Sequence, residues 1–219
     1  MVGPGSAVLT ANPYAGQVPE DHYFTANPAS APERRALRVT LGERELELVT
    51  ASGIFSPDRV DEGTAVLLAN TPAPRATGNL LDIGCGWGPI SLSLALASPD
   101  ATVWAVDVNE RAIDLLARNA ALLGLTNVRA LRPEEVPEAV RFAEIWSNPP
   151  IRVGKAVLHG LLQQWLPRLE AGGDAWLVVQ KNLGADSLQR WITEQFPDAV
   201  TERVAVGRGY RVLRHTSPA

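Results

Sequence analysis

Two short stretches alternate apolar and polar residues with the period of a half-buried strand: Ala36-Leu37-Arg38-Val39-Thr40-Leu41 and Glu45-Leu46-Glu47-Leu48-Val49-Thr50. Gly42-Glu43 between them suits a two-residue hairpin turn with glycine first. A hairpin of this size is not stable alone, so it is expected to pack on the rest of the molecule. A loop over 51–58 follows, and Asp61-Glu62-Gly63-Thr64 leads into a short apolar helix at 65–68, which Pro72 and Pro74 end. From Asn79 onward the pattern alternates. Strands are predicted at 79–83, 102–107, 128–131, 142–146 and 175–179, with two closing strands at 200–206 and 210–213 around Gly207-Arg208-Gly209. Helices are predicted over about 89–97, from the Asn109 cap to Gly124 with Ile113, Leu116, Ala117, Ala120 and Leu123 inward, over 155–169 before Gly172-Gly173, and over 185–195 before Pro197. Strands alternating with helices predict an α/β fold with a doubly wound, mostly parallel sheet of seven strands. The last strand-turn-strand predicts an antiparallel edge, with the N-terminal hairpin as an extension.

Composition narrows this picture. Residues 1–35 hold prolines at 4, 13, 19, 28 and 32, which excludes a long helix or central strand and predicts an extended arm. The expected division is therefore an arm at 1–35, a hairpin and helix extension at 36–77, and the main domain at 78–219. Within the arm, Asp21-His22-Tyr23-Phe24 suits either a clip onto the body or a contact to substrate or cofactor. At 219 residues, 46% hydrophobic and 20% charged, the chain can bury a real core. Its net charge of −4 excludes a broad basic face that coats nucleic acid, while a local basic mouth stays open. One cysteine, Cys85, excludes an internal disulfide or a cysteine-rich metal site, and no metal is expected. No apolar run approaches the ~18 residues of a membrane span. The start, Met1-Val2-Gly3-Pro4-Gly5-Ser6, lacks the pattern of a signal peptide, so a cytoplasmic location is expected.

Candidate chemistry concentrates in Leu80-Leu81-Asp82-Ile83-Gly84-Cys85-Gly86-Trp87-Gly88-Pro89-Ile90, a strand, a tight loop and a helix start. Such a loop lies at the carboxyl end of a strand, where open sheets bind ligands. Two cofactor classes compete, a dinucleotide and S-adenosylmethionine. The dinucleotide fingerprint places its last glycine one residue later, where this chain has Pro89. Asp82 ahead of the glycines would repel a pyrophosphate and favour a ligand carrying an ammonium and a sulfonium. Asp107, ending the second strand, can accept from ribose hydroxyls of either cofactor. S-adenosylmethionine is therefore favoured. The candidate cofactor-binding set is Asp82, Gly84, Cys85, Gly86, Gly88, Asp107, Val108 and Asn148. The plainer alternatives are turn punctuation for the glycines, a helix cap for Asp82 and a capping loop for Asp107 with Asn109.

Ser147-Asn148-Pro149-Pro150-Ile151 follows the fourth strand on the same edge. Two prolines stiffen the turn, and Asn148 offers a side-chain carbonyl. That oxygen and a proline carbonyl can accept from an exocyclic amine and draw its lone pair out of conjugation. Catalysis by Asn148, Pro149 and Pro150 would then be orientation plus stabilisation of developing positive charge.

Asp82-x-Gly84-x-Gly86-x-Gly88, Asp107 and Asn148-Pro149-Pro150, in that order, resemble a class I S-adenosylmethionine-dependent methyltransferase of Rossmann-like fold. The Asn-Pro-Pro turn resembles those that methylate adenine amines, guanine amines and glutamine amides. His22-Tyr23-Phe24, Gly53-Ile54-Phe55-Ser56, Asp61-x-Gly63-Thr64, Asn148-Pro149-Pro150-Ile151-Arg152-x-Gly154-Lys155 and Gly209-Tyr210-Arg211-Val212-Leu213 resemble the C type of small-subunit ribosomal RNA guanine-N2 methyltransferase, over roughly residues 21–215. The resemblance implies guanine N2 of ribosomal RNA as acceptor and ribosomal RNA or the small ribosomal subunit as partner. Transfer to a protein glutamine amide or to adenine N6 remains an alternative, as does a cofactor-binding ribosome assembly factor without turnover. The chain departs from the resemblance at Ile151, where many relatives carry an aromatic, so base stacking is expected from Phe55 or Tyr23. It also has Leu131-Arg132-Pro133, with Glu134 only later, where relatives usually have an acid, so a backbone contact to adenine is expected. Longer members carry a second, degenerate methyltransferase-like domain; in its place the arm and hairpin are expected here, with simpler or shared RNA recognition. The candidate substrate-binding set is Phe55, Ile151, Arg152, Lys155 and Lys181, with Gln180 beside the last; solvated helix starts are the plainer reading of Arg152 and Lys155. Most of the six tryptophans are expected in the core, Trp87 in the glycine loop excepted.

Overall fold

The computed structural model describes residues 33–150 and 153–219. His22, Tyr23, Phe24, Ile151 and Arg152 lie outside the described residues. Strands β1 (Arg34–Leu41) and β2 (Arg44–Ala51) pair antiparallel, Leu41 opposite Arg44. Gly42 between them has φ +61°, a conformation open to glycine and hard for other residues in so short a turn. Helix α1 (Glu62–Ala69) starts at Asp61, whose carboxylate accepts from the backbone N–H of Gly63 and Thr64. It is thus longer than its apolar stretch suggested, because a polar cap starts it before the apolar residues begin.

The main sheet then follows as β3 (Thr77–Ile83), α2 (Pro89–Ala97), β4 (Asp100–Val106), α3 (Glu110–Leu122), β5 (Val128–Leu131), β6 (Phe142–Ser147), α4 (Lys155–Trp165), β7 (Leu169–Gln180), α5 (Ala185–Gln195), β8 (Val200–Gly207) and β9 (Tyr210–Thr216). The strand order is β5-β4-β3-β6-β7-β9-β8, parallel from β5 to β7, with β9 antiparallel between β7 and the edge strand β8. Arg208 (φ +50°) and Gly209 (φ +80°) make the β8–β9 turn, the doubly left-handed kind that matches strand twist.

Neighbouring residues of one strand serve opposite faces. Leu81, Ile145 and Leu177 pack with Leu158, Leu162 and Trp165 of α4 and Leu188 and Ile192 of α5. Leu80, Trp146 and Val178 pack with Val66 and Leu67 of α1 and Ile90 and Leu94 of α2. The hairpin buries Leu37, Leu41, Leu48 and Ala51 against Ala112, Leu115, Leu116 and Ala120 of α3. Buried Asn119 of α3 both accepts from Val49 N (2.8 Å) and donates to Val49 O (3.0 Å), satisfying edge groups of β2.

Two boundaries differ from the sequence pattern. Helix α4 ends at Trp165 rather than at 169, because Pro167 lacks the N–H that an α-helix would need and a short 3₁₀ turn takes over. Strand β7 begins at Leu169 rather than at 175, running through Gly172 and Gly173 past a bulge opposite Phe142 and Glu144.

Candidate functional site

The chain leaves β3 for β4 and β5 on one side, then returns to place β6 on the other side of β3. This makes the β3–β6 boundary the switch point of the sheet, where open α/β folds form a crevice. The register sets Ile83 beside Val106 and Ser147, and Ser147 Oγ donates to Ile83 O at 2.8 Å. The glycine loop, the end of β4 and the Asn-Pro-Pro turn thereby open onto a single cavity of about 750 Å³.

One wall comes from the loop and β4. Gly84 (φ +77°) and Gly86 (φ +55°) line the cavity, and a Cβ at either would meet no atom within 4 Å. Their missing side chains leave room for a ligand against bare backbone. Gly88 (φ +104°) is different: it faces away from the cavity, and a Cβ there would come 2.4 Å from Leu116 Cδ1. Its role is to let α2 approach α3. Asp107 Oδ2 accepts from Gly86 N (3.0 Å) and Oδ1 from Asn109 N (2.9 Å), so the carboxylate braces the loop and keeps lone pairs for hydroxyl donors. Burial raises its pKa against these hydrogen bonds. Half-exposed Val108 and the ring of Pro133 complete this wall. Glu134 pairs with Arg132 instead (2.6 Å).

Asp82 is fully buried and does not reach the cavity wall. Its Oδ2 accepts from Ser91 N (3.0 Å) and from the Ser91 hydroxyl in the first turn of α2, as a helix cap does. Its Oδ1 is buried with no hydrogen-bond partner among the described residues, and desolvation lifts its pKa to about 7. Cys85 is buried beneath the loop, where burial pushes its thiol pKa well up, and it borders only a small recess of about 20 Å³ beside the main cavity.

The opposite wall carries Asn148, Pro149 and Pro150, then Val153, Val157, Leu161, Gln164 and Trp165, with Gln180, Leu183 and Tyr210 beyond. Asn148 Nδ2 donates to Asp61 Oδ2 (2.7 Å) and to Thr64 Oγ1 (3.1 Å). Pro150 O already accepts from Val153 N (3.2 Å), whereas among the described residues no N–H is donated to Pro149 O. Phe55, 42% exposed, stands at the cavity on a loop held by the main domain. Asn109 Nδ2 donates to Gly53 O (2.9 Å), Arg111 Nη1 to Ser52 O (2.7 Å) and buried Trp87 Nε1 to Ser56 O (3.0 Å). Lys155 and Lys181 are exposed, at the start of α4 and just past β7, and neither lines the cavity. Asp61, Thr64 and the α4 residues Leu161 and Trp165 were not among the candidates. In the sequence Asp61-x-Gly63-Thr64 carries part of the resemblance, but nothing local ties Asp61 to Asn148.

Among the described residues, no three His, Cys, Asp or Glu side chains group to hold a metal ion, and no helix is long and apolar enough to cross a membrane. Residues 45–214 match the model of the methyltransferase small domain. The chain belongs to the methyltransferase small domain family. Within the curated proteins it is 36% identical over 197 residues to "Uncharacterized protein YbxB" of Bacillus subtilis, covering 89% of this chain and 97% of that one. It is 33% identical over 135 residues to ribosomal RNA small subunit methyltransferase C of Shewanella pealeana, covering 60% of this chain and 39% of the relative. A solved 16S rRNA N2 methyltransferase of T. thermophilus, in complex with AdoMet and guanosine, superposes with a TM-score of 0.74 at 26% identity, over 87% of this chain and 52% of that one. This methyltransferase small domain thus spans about half or less of these two longer relatives.

Proposed function

We propose that this protein transfers a methyl group from S-adenosylmethionine to an exocyclic amine, guanine N2 of ribosomal RNA. The observation that carries the reading is the β3–β6 register, which puts a side-chain-free glycine cradle and an Asn-Pro-Pro turn on facing walls of one cavity. Relatives named ribosomal RNA small subunit methyltransferase C and ribosomal RNA large subunit methyltransferase G support an RNA acceptor.

The residues present fit the cofactor. Gly84 and Gly86 leave the space, Asp107 offers carboxylate oxygens for ribose hydroxyls, and Val108 and Pro133 give an apolar bed for adenine. The unpartnered Asp82 Oδ1 lies behind the loop, where a cationic ligand would favour its ionised form. When bound, S-adenosylmethionine supplies a methyl group on a sulfonium, whose transfer leaves a neutral thioether and an amine that sheds one proton. The protein's part is orientation. Asn148 Oδ1 and Pro149 O accept the two amine hydrogens, turn the lone pair out of the ring plane and stabilise the positive charge that develops. Phe55 is the aromatic face for the base, and Lys155 and Lys181, with Arg152, meet flanking phosphates.

The test is transfer of tritiated methyl to ribosomal RNA, free and in the small ribosomal particle, with mass mapping of the labelled nucleotide. Label at guanine N2 is expected, and Asn148→Ala should lower kcat by about 100-fold. Label in protein glutamine, or no loss in Asn148→Ala, would overturn the reading.

A further inference from the structure

An asparagine presents either its oxygen or its nitrogen, and the neighbours decide which. At Asn148 the deciding neighbour is Asp61, 87 residues earlier in the chain. A carboxylate only accepts, so the nitrogen must face it. Nδ2 spends its hydrogens on Asp61 Oδ2 (2.7 Å) and Thr64 Oγ1 (3.1 Å). Asn148 Oδ1 is then left for the cavity that Asn148 and Asp61 both line. We infer that Asp61, with Thr64, is a positioning residue for methyl transfer: it locks the Asn148 amide oxygen-outward and, by drawing on its N–H, makes that oxygen a stronger acceptor. This rests on the reading of Asn148 as the amine acceptor above.

The opposite orientation would be self-defeating. It would set Asn148 Oδ1 against a carboxylate oxygen and aim an NH₂ at the amine to be methylated. Hydrogen bonds in series polarise one another in a poorly solvated site, so a charged acceptor behind the amide adds electron density to its oxygen. The geometry also separates this role from helix capping. Asp61 Oδ2 accepts from Gly63 N (2.8 Å) and Thr64 N (3.3 Å) as well, and a serine can replace those two bonds but is too short to hold Asn148.

The experiment compares Asp61→Ser, Asn148→Ala and the double variant in the full chain, using ribosomal RNA and tritiated S-adenosylmethionine. Asp61→Ser is expected to lower kcat about 10- to 100-fold, with cofactor Kd changed less than about threefold. The double variant should be no slower than Asn148→Ala alone. In the free protein, the side-chain NH₂ pair of Asn148, assigned by its loss in Asn148→Ala, should shift and exchange faster in Asp61→Ser. Additive losses in the double variant, or an unmoved NH₂ signal, would overturn the inference while leaving Asn148 as acceptor. A loss confined to cofactor affinity would also overturn it, and assign the Asp61 carboxylate to the ammonium of the cofactor. An Asn148→Ala variant with full activity would instead sink the proposed function, and the positioning role with it.

Discussion

The three glycines of the loop read alike in sequence but divide into two roles, because the space beside Gly88 differs from that beside Gly84 and Gly86. At Gly84 the backbone is left-handed but the space is open, so Gly84→Ala should cost about 1 kcal/mol of stability and mainly obstruct the cofactor. At Gly88 the left-handed backbone is joined by a collision with Leu116, so Gly88→Ala should cost about 3 kcal/mol. Thermal unfolding against cofactor titration separates the two: Gly88→Ala lowers Tm more, and Gly84→Ala weakens binding more. Asp82 gives a pH signature. An aspartate titrates near ~3.9 when unfolded, and here near about 7 when folded. A raised acid pKa means that the folded state holds the proton more tightly. The stability from this group is therefore full below about pH 4 and is lost as pH rises towards 7, by up to about 4 kcal/mol. Urea unfolding of the cofactor-free protein should show that fall, and Asp82→Asn should flatten it. The acid before the glycines was plain in the sequence; its complete burial was not, because burial depends on α2 closing over it through Ser91.

At the level of elements, local signals were read most easily. Period-two runs marked the hairpin, and Gly42 and Gly209 marked turns that require positive φ. Asn148-Pro149-Pro150 stood out because proline chemistry is local. What stayed hidden depends on distant parts of the chain. The pairing of β7 from Leu169 is set by β6 and by the terminal strand β9, and Leu161 and Trp165 become cavity wall only through the winding of α4. The loop over 52–56 is a further case, since Trp87, Asn109 and Arg111 hold its backbone from distant parts of the chain. Trp87→Phe would keep the apolar filling and remove the hydrogen bond to Ser56 O. It should raise KM for RNA several-fold through Phe55, since base stacking on an aromatic contributes about 1–3 kcal/mol. Limited proteolysis should then cut within 52–58, while cofactor Kd stays near that of the wild type.

For the molecule as a whole, the proposed RNA acceptor and the charge of the chain together imply a narrow footprint. The net charge is −4, and among the described residues no Lys or Arg lines the cavity. RNA affinity should therefore fall gently with salt, each phosphate contact contributing about 0.7 to the logarithmic slope for a single strand. Lys155→Glu should weaken RNA binding severalfold and flatten that slope by about one contact, measured by fluorescence anisotropy across salt concentrations. The overall α/β architecture was legible because strand and helix periods alternate cleanly from Asn79 onward. The place of the C-terminal hairpin was less so: β9 rather than β8 inserts beside β7, which no periodicity encodes.

One oxygen, Asp61 Oδ2, accepts from Gly63 N, Thr64 N and Asn148 Nδ2 at once. A lineage descending from this chain therefore faces two selective filters at a single codon. Serine, threonine or asparagine would pass the first, since each can start a helix, and glutamate would pass a test of charge alone. Only aspartate combines the short reach of a cap with an oxygen that admits no amide flip. Substitution at this site is then expected to be constrained by folding and by chemistry together.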